Sequence, residues 1–237
     1  MGHSRILSFS AEYVQSRMDT REPDALQLEY TRMMMGFLLH LPAPSNIAMV
    51  GLGGGSLAKF CHRYLPETRI DVIEIDAEVI ALRDNFAIPA DNARFAVHHA
   101  DAADFLHHCD GEFDVILADG FDSQGIPPNL CTEQFYCDCR AALKPAGMLV
   151  ANLHSCSNDY DVVLGRIERV FDNAVSVTTC PHNLNRIVFA AANGCEDLHH
   201  LCELRCPEEF SPAAWKSLLP SVARVVLDTR NHLVRGR

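Results

Sequence analysis

Asp119 and Asp122, in Ile116-Leu-Ala-Asp119-Gly-Phe-Asp122-Ser-Gln-Gly, are the side chains best suited to chemistry in this sequence. Two carboxylates at that spacing can hold an ammonium group and take its proton. The need is quantitative, because an alkylamine with a pKa near 10.4 spends roughly 4–5 kcal/mol to be neutral at pH 7, and only the neutral form is a nucleophile. A nearby carboxylate offsets this as general base. The alternative is a turn whose aspartates satisfy backbone amides; we read the pair as functional. A second group is the glycine run Gly51-Leu-Gly53-Gly54-Gly55-Ser56 with Glu74 a little over twenty residues beyond its first glycine. Gly51, Gly53 and Gly55 allow a tight turn and close approach of a ligand to the backbone. Glu74 can accept two hydrogen bonds from ribose hydroxyls. Asp101, in His99-Ala-Asp-Ala-Ala-Asp104, suits equally a bond from an adenine amino group or a helix N-cap.

The elements needed to bring these groups together follow from the apolar pattern. Ile47 to Val50 is a short apolar run of the kind buried on both faces of a parallel sheet, and Ile70 to Ile75 is a second. Between them Leu57, Phe60, Cys61 and Tyr64 fall at helical spacing. The alternation continues with a helix over 78–85, a strand over 94–97, a helix over 102–108, a strand over 113–118, a helix over 133–143 and a strand over 148–152. A helix over 160–171 and strands over 175–178 and 186–192 complete it. The expected class is α/β, a seven-stranded, mostly parallel sheet of Rossmann-like type. Its last strand, reached across the short Pro181-His-Asn-Leu-Asn turn, should run antiparallel, as in the S-adenosylmethionine methyltransferase fold. In an open α/β sheet ligands bind where the strand order reverses, between the first and fourth strands, so Asp119 should face the nucleoside's reactive end.

The 237 residues suffice for one sizeable α/β core. We divide them into a short N-terminal appendage or lid (1–28), a nucleoside-binding transferase domain (29–192) and a helical extension of the same domain (193–237). A helix is expected over 28–41, ended by Pro42 and Pro44, with Met33 to Met35 as packing. The extension should hold two helices, one through Leu198, Leu201 and Leu204 and one starting at Ser211-Pro212, and no chemistry. The ten cysteines are scattered through expected helices and strands, which favours reduced thiols; no zinc spacing is complete and the His pairs form no recognisable set, so no metal is expected. The net charge of −11 argues against a nucleic-acid partner and is compatible with a cationic substrate, or simply with solubility. No run reaches the length of a membrane span and the first ten residues lack a signal-peptide core, so no membrane association and a cytoplasmic location are expected.

The order Gly51-x-Gly53-x-Gly55, Val72-Ile-Glu74-Ile75-Asp76, Asp101-Ala102, Asp119-x-x-Asp122 and Leu130…Phe135-Tyr136…Leu143…Gly147 resembles the spermidine synthase family of aminopropyltransferases, over roughly residues 26 to 192. The resemblance implies attack of a polyamine nitrogen on the propyl carbon beside a sulfonium, releasing methylthioadenosine. It implies a cofactor site of Gly51, Gly53, Gly54, Gly55, Glu74, Ile75, Asp101 and Ala102, with Glu74 on the ribose and Asp101 on the adenine. Asp119 would be the base and Asp122 would orient the amine. Tyr30-Thr-Arg-Met33 keeps both ends of the family's Tyr-His-Glu-Met motif, which adds Tyr30 and Arg32 to the substrate side, and Gln15 matches a glutamine that contacts the nucleoside. A homodimer is expected on the same ground.

The departures point elsewhere. Gly54 stands where the family has the aspartate that receives the aminopropyl amine, Arg32 and Thr31 replace the motif's glutamate and histidine, and the N-terminal β domain is reduced to about twenty-five residues. Gly54 removes a charge that would repel the carboxylate of intact S-adenosylmethionine, and Arg32 could pair with a carboxylate. The leading expectation is therefore aminopropyl transfer from decarboxylated S-adenosylmethionine to a small amine. The alternatives are methyl transfer from S-adenosylmethionine to a small molecule, and non-catalytic binding of a nucleoside or polyamine.

Overall fold

The computed structural model describes residues 3–8, 14–208 and 210–235. Its first two strands, β1 (Ser4–Ser8) and β2 (Val14–Asp19), form an antiparallel pair of their own, bulged at Leu7/Ser8. The expected helix over 28–41 is divided into α1 (Glu29–Met34) and a 3-10 turn, Met35–Leu39. At the division Gly36 leaves room for the Phe189 ring, 2.9 Å from where its Cβ would stand. Met33, Met34 and Met35 are all buried in the core.

The main sheet begins with β3 (Asn46–Val50), which leads through the glycine turn into α2 (Ser56–Tyr64). β4 (Arg69–Glu74), α3 (Ala77–Ala81), β5 (Phe95–His99), α4 (Ala102–His107) and β6 (Phe113–Ala118) follow. Then come α5 (Glu133–Ala142), β7 (Leu143–His154), α6 (Tyr160–Val170), β8 (Val175–Thr179) and β9 (Asn185–Ala191). The seven strands are ordered β5-β4-β3-β6-β7-β9-β8. β3 is parallel to both β4 and β6, whereas β9 enters between β7 and β8 antiparallel to both. The chain thus winds outward from β3 to β5 and returns to start β6 beside β3. A crevice opens past the carboxyl ends of those two strands.

Side-chain alternation along the strands divides the core into two layers. Ile47 and Met49 join Met35, Phe37, Phe60 and Trp215 on one face, while Ala48 and Val50 join Phe135, Tyr136, Val163 and Phe171 on the other. The C-terminal part adds α7 (Cys195–Leu198), a 3-10 turn His199–Cys202 and α8 (Pro212–Arg235). Leu201 is buried, but Leu204 lies beyond the turn and is half exposed. α8 lies on α1 and β8, and the buried Ser176 and Thr229 hydroxyls bond at 2.8 Å. No helix among the described residues is long and apolar enough to cross a membrane.

Candidate active site

The crevice is shaped first by what its glycines allow. Gly51 has φ +92°, and a Cβ on it would stand 2.8 Å from the carbonyl oxygen of Asp119, so the turn and the β6 loop meet backbone to backbone. Glu74, at the end of β4, is buried; its Oε2 accepts the Leu52 N–H at 2.8 Å and its Oε1 the Asp76 N–H at 2.9 Å. These bonds hold the carboxylate at the turn, and each oxygen retains a lone pair. Ile75 next to it is 62% exposed, an apolar side chain left open at the sheet's rim.

Asp101 is the N-cap of α4, accepting from Ala103 N at 2.8 Å, and both its oxygens accept from Asn129 Nδ2, at 3.0 and 2.8 Å. The capping reading is therefore met; one cap bond and one amide leave acceptor capacity on Oδ2. Ala102 behind it is buried.

Asp119 lies just past β6 and is partly buried. Its Oδ2 accepts from the Tyr30 hydroxyl at 3.1 Å and its Oδ1 from Asn152 Nδ2 at 2.8 Å. Asn152, on β7, is held in turn by Asn185 Nδ2 at 2.8 Å. The protein around the carboxyl raises its pKa from 3.8 to about 6, against the opposing pull of the two donors. Burial and the Asp119 charge push the Tyr30 hydroxyl well above its usual value, so it remains a donor.

Three expected residues are engaged elsewhere. Asp122 is exposed, and its Oδ1 accepts from the amides of Gln124 and Gly125, at 2.7 and 3.0 Å, as a turn residue does. Arg32 gives Nη1 to the Leu26 carbonyl at 2.7 Å, bracing the loop before α1. A Cβ on Gly54 would stand 2.4 Å from Ser16 Oγ and 3.0 Å from Phe86 Cδ1, so β2 occupies the direction an aspartate there would take. On β2, Gln15 brings Nε2 within 3.9 Å of the Cβ direction of Gly53, and its buried Oε1 has no hydrogen-bond partner. Asn152, Asn129 and Ser16 escaped the sequence reading. Only Asn152, the one polar residue in Met148-Leu-Val-Ala-Asn152-Leu, carried a signal.

Residues 27–192 match the Spermine/spermidine synthase domain. The polyamine aminopropyltransferase of Chromobacterium violaceum is 41% identical over 175 residues, 73% of this chain and 67% of that protein. The chain thus spans about two thirds of that relative's length. Among solved structures, a probable spermidine synthase from Corynebacterium glutamicum superposes with TM-score 0.69 at 23% identity, covering 91% of this chain and 86% of that one. Human methyltransferase-like protein 13, in complex with SAH, gives 0.63 at 23% identity, covering 84% and 93%.

Proposed function

The chain belongs to the spermine/spermidine synthase family, and on that premise we propose that it transfers an aminopropyl group from decarboxylated S-adenosylmethionine to a small polyamine. The observation that carries this reading is Asp119, a carboxyl raised to about 6 beside the glycine turn and fixed by Tyr30 and Asn152. Compared with an ordinary carboxylate, that rise narrows the gap to an alkylammonium by about 3 kcal/mol. The amine lone pair forms a C–N bond at the propyl carbon as the C–S bond breaks. Methylthioadenosine leaves as a neutral thioether, and the proton lost from nitrogen goes to Asp119.

The other residues divide around that step. The turn from Gly51 through Gly53 and Gly54 to Gly55 carries the nucleoside, Glu74 takes the ribose hydroxyls, and Ile75 with Asp101 and Ala102 receives the adenine. Gln15 offers its unpaired Oε1 to the cofactor, in the neighbourhood where Gly54 supplies no acid. Asp122 and Arg32 act at one remove, by shaping the loops around the amine.

The absence of a side chain at Gly54 favours methyl transfer from intact S-adenosylmethionine as the second reading, since no acid at that position repels the cofactor's carboxylate. Incubating the full chain with each cofactor and a short diamine separates the two. Methylthioadenosine from the decarboxylated cofactor is expected. S-adenosylhomocysteine from the intact one would replace the first reading by the second, and binding without either product would refute both.

A further inference from the structure

The strongest unassigned cluster lies at the other end of the sheet. His40 follows the 3-10 turn after α1 and precedes β3, while Asp197 and His200 come from α7 and the turn that continues it. One ligating atom from each lies within 4.8 Å of the other two, and the His40 and His200 rings stack at 5.1 Å. Nε2 of His40 lies 3.0 Å from the Ala146 carbonyl, which can only accept, so Nε2 carries the proton and Nδ1 presents a lone pair. That Nδ1 is buried without a partner, and so is Oδ2 of Asp197. Two acceptors are thus buried in one cluster with no donor assigned to either, an arrangement that costs free energy unless something positive lies between them.

We propose that His40, Asp197 and His200 bind a divalent transition-metal ion of the zinc class. Two imidazoles and one carboxylate suit a borderline cation; calcium and magnesium would demand more oxygens, and copper(I) would prefer thiolates. The Ala146 carbonyl supplies the outer-shell bond that fixes a ligating histidine's tautomer and orientation. Asp197 and His200, three apart along one helical turn, project to the same side. Bonds of about 2.0–2.1 Å at tetrahedral angles need donors roughly 3.4 Å apart, which small rotations of the exposed His200 can supply. Water would complete the coordination. Because β3 starts after His40 and Ala146 lies in the first half of β7, the ion would sit at the sheet end opposite Asp119. There it would tie the C-terminal part to the start of the sheet.

The test is cobalt(II) titration of the chelator-treated full chain, followed by absorption, with His200→Ala and Asp197→Asn alongside and zinc as competitor. One equivalent should bind with ligand-field bands but no thiolate charge-transfer band, which separates this site from the ten cysteines. Zinc should displace it, and each variant, folded by circular dichroism, should lose at least the roughly 10–100-fold that removal of an outer-shell partner costs. Absence of a thiolate-free equivalent would overturn the proposal. So would equal affinity in both folded variants, leaving a proton or a water to satisfy His40 and Asp197.

Discussion

Asp119 combines two properties that pull against each other: its surroundings disfavour its charge, and the proposed chemistry needs that charge. Only the ionised carboxylate can take a proton, so kcat/KM should fall about tenfold per pH unit below pH 6, reporting the raised pKa of about 6. A flat profile between pH 5 and 7 would assign the proton elsewhere. Between 3.8 and about 6 the folded chain binds more protons at this site than the unfolded chain does. The residue's stabilising contribution is therefore complete below 3.8 and is lost as the pH rises through about 6. Asp119→Asn should accordingly raise stability at pH 7 by up to about 2 kcal/mol, allowing for partial exposure, and the gain should fade toward pH 4. Thermal melts across that range would check it. At this scale the sequence placed the carboxylate at a strand's end, and Tyr30 on the substrate side by resemblance, but not the bonds that join Asp119 to Tyr30 and Asn152. Asp119 was legible from its place after an apolar strand, whereas its partners Tyr30 and Asn152 arrive from elements far along the chain. Asp122 shows the converse, a spacing that invites a catalytic reading while the carboxylate closes its own turn.

The pair β1–β2 is the element that the sequence disclosed least. It is short, Ile6 is half exposed, and polar residues alternate too irregularly along it to mark a face. Its importance lies in the contact of Ser16 with the glycine turn, where Ser16 Oγ also lies 3.2 Å from Ser56 Oγ. Gly54→Ala should cost about 1–3 kcal/mol by overpacking, since Gly54 is outside the positive-φ region and the obstacle is Ser16 rather than backbone strain. Ser16→Gly should recover much of that loss. Chemical denaturation of the two single variants and the double variant measures the coupling, and strictly additive costs would show that β2 does not dictate Gly54. β7 was legible only in its second half, the strand expected over 148–152 beginning at Leu143. Pro145-Ala-Gly147 reads as a turn, yet the strand runs through it, with an irregularity where the pairing passes from Phe113↔Leu143 to Val115↔Met148.

At the scale of the whole molecule, the continuous apolar runs at β3, β4 and β6 made the parallel core legible, because strands buried on both faces need no alternation. The antiparallel end was legible from a loop too short for a crossover. The C-terminal part was readable as helices but not as a lining of the core: Trp215, Leu218, Val222 and Val225 on α8 belong to the same cluster as Phe189. A chain ending at residue 211 should therefore lose its cooperative thermal transition, followed by circular dichroism; an unchanged melt would mark α8 as dispensable. The metal cluster was invisible in the sequence because His40 and His200 lie far apart along the chain and meet only through the fold.

The central claim, that Asp119 is the base in a nucleoside crevice it does not itself hold together, is tested most directly by Asp119→Asn. Calorimetric affinity for decarboxylated S-adenosylmethionine and the rate of methylthioadenosine release should be measured on the same preparation. Affinity should stay within about twofold while the rate falls by roughly 10²–10⁴. Loss of binding and rate together, or retention of both, would contradict it.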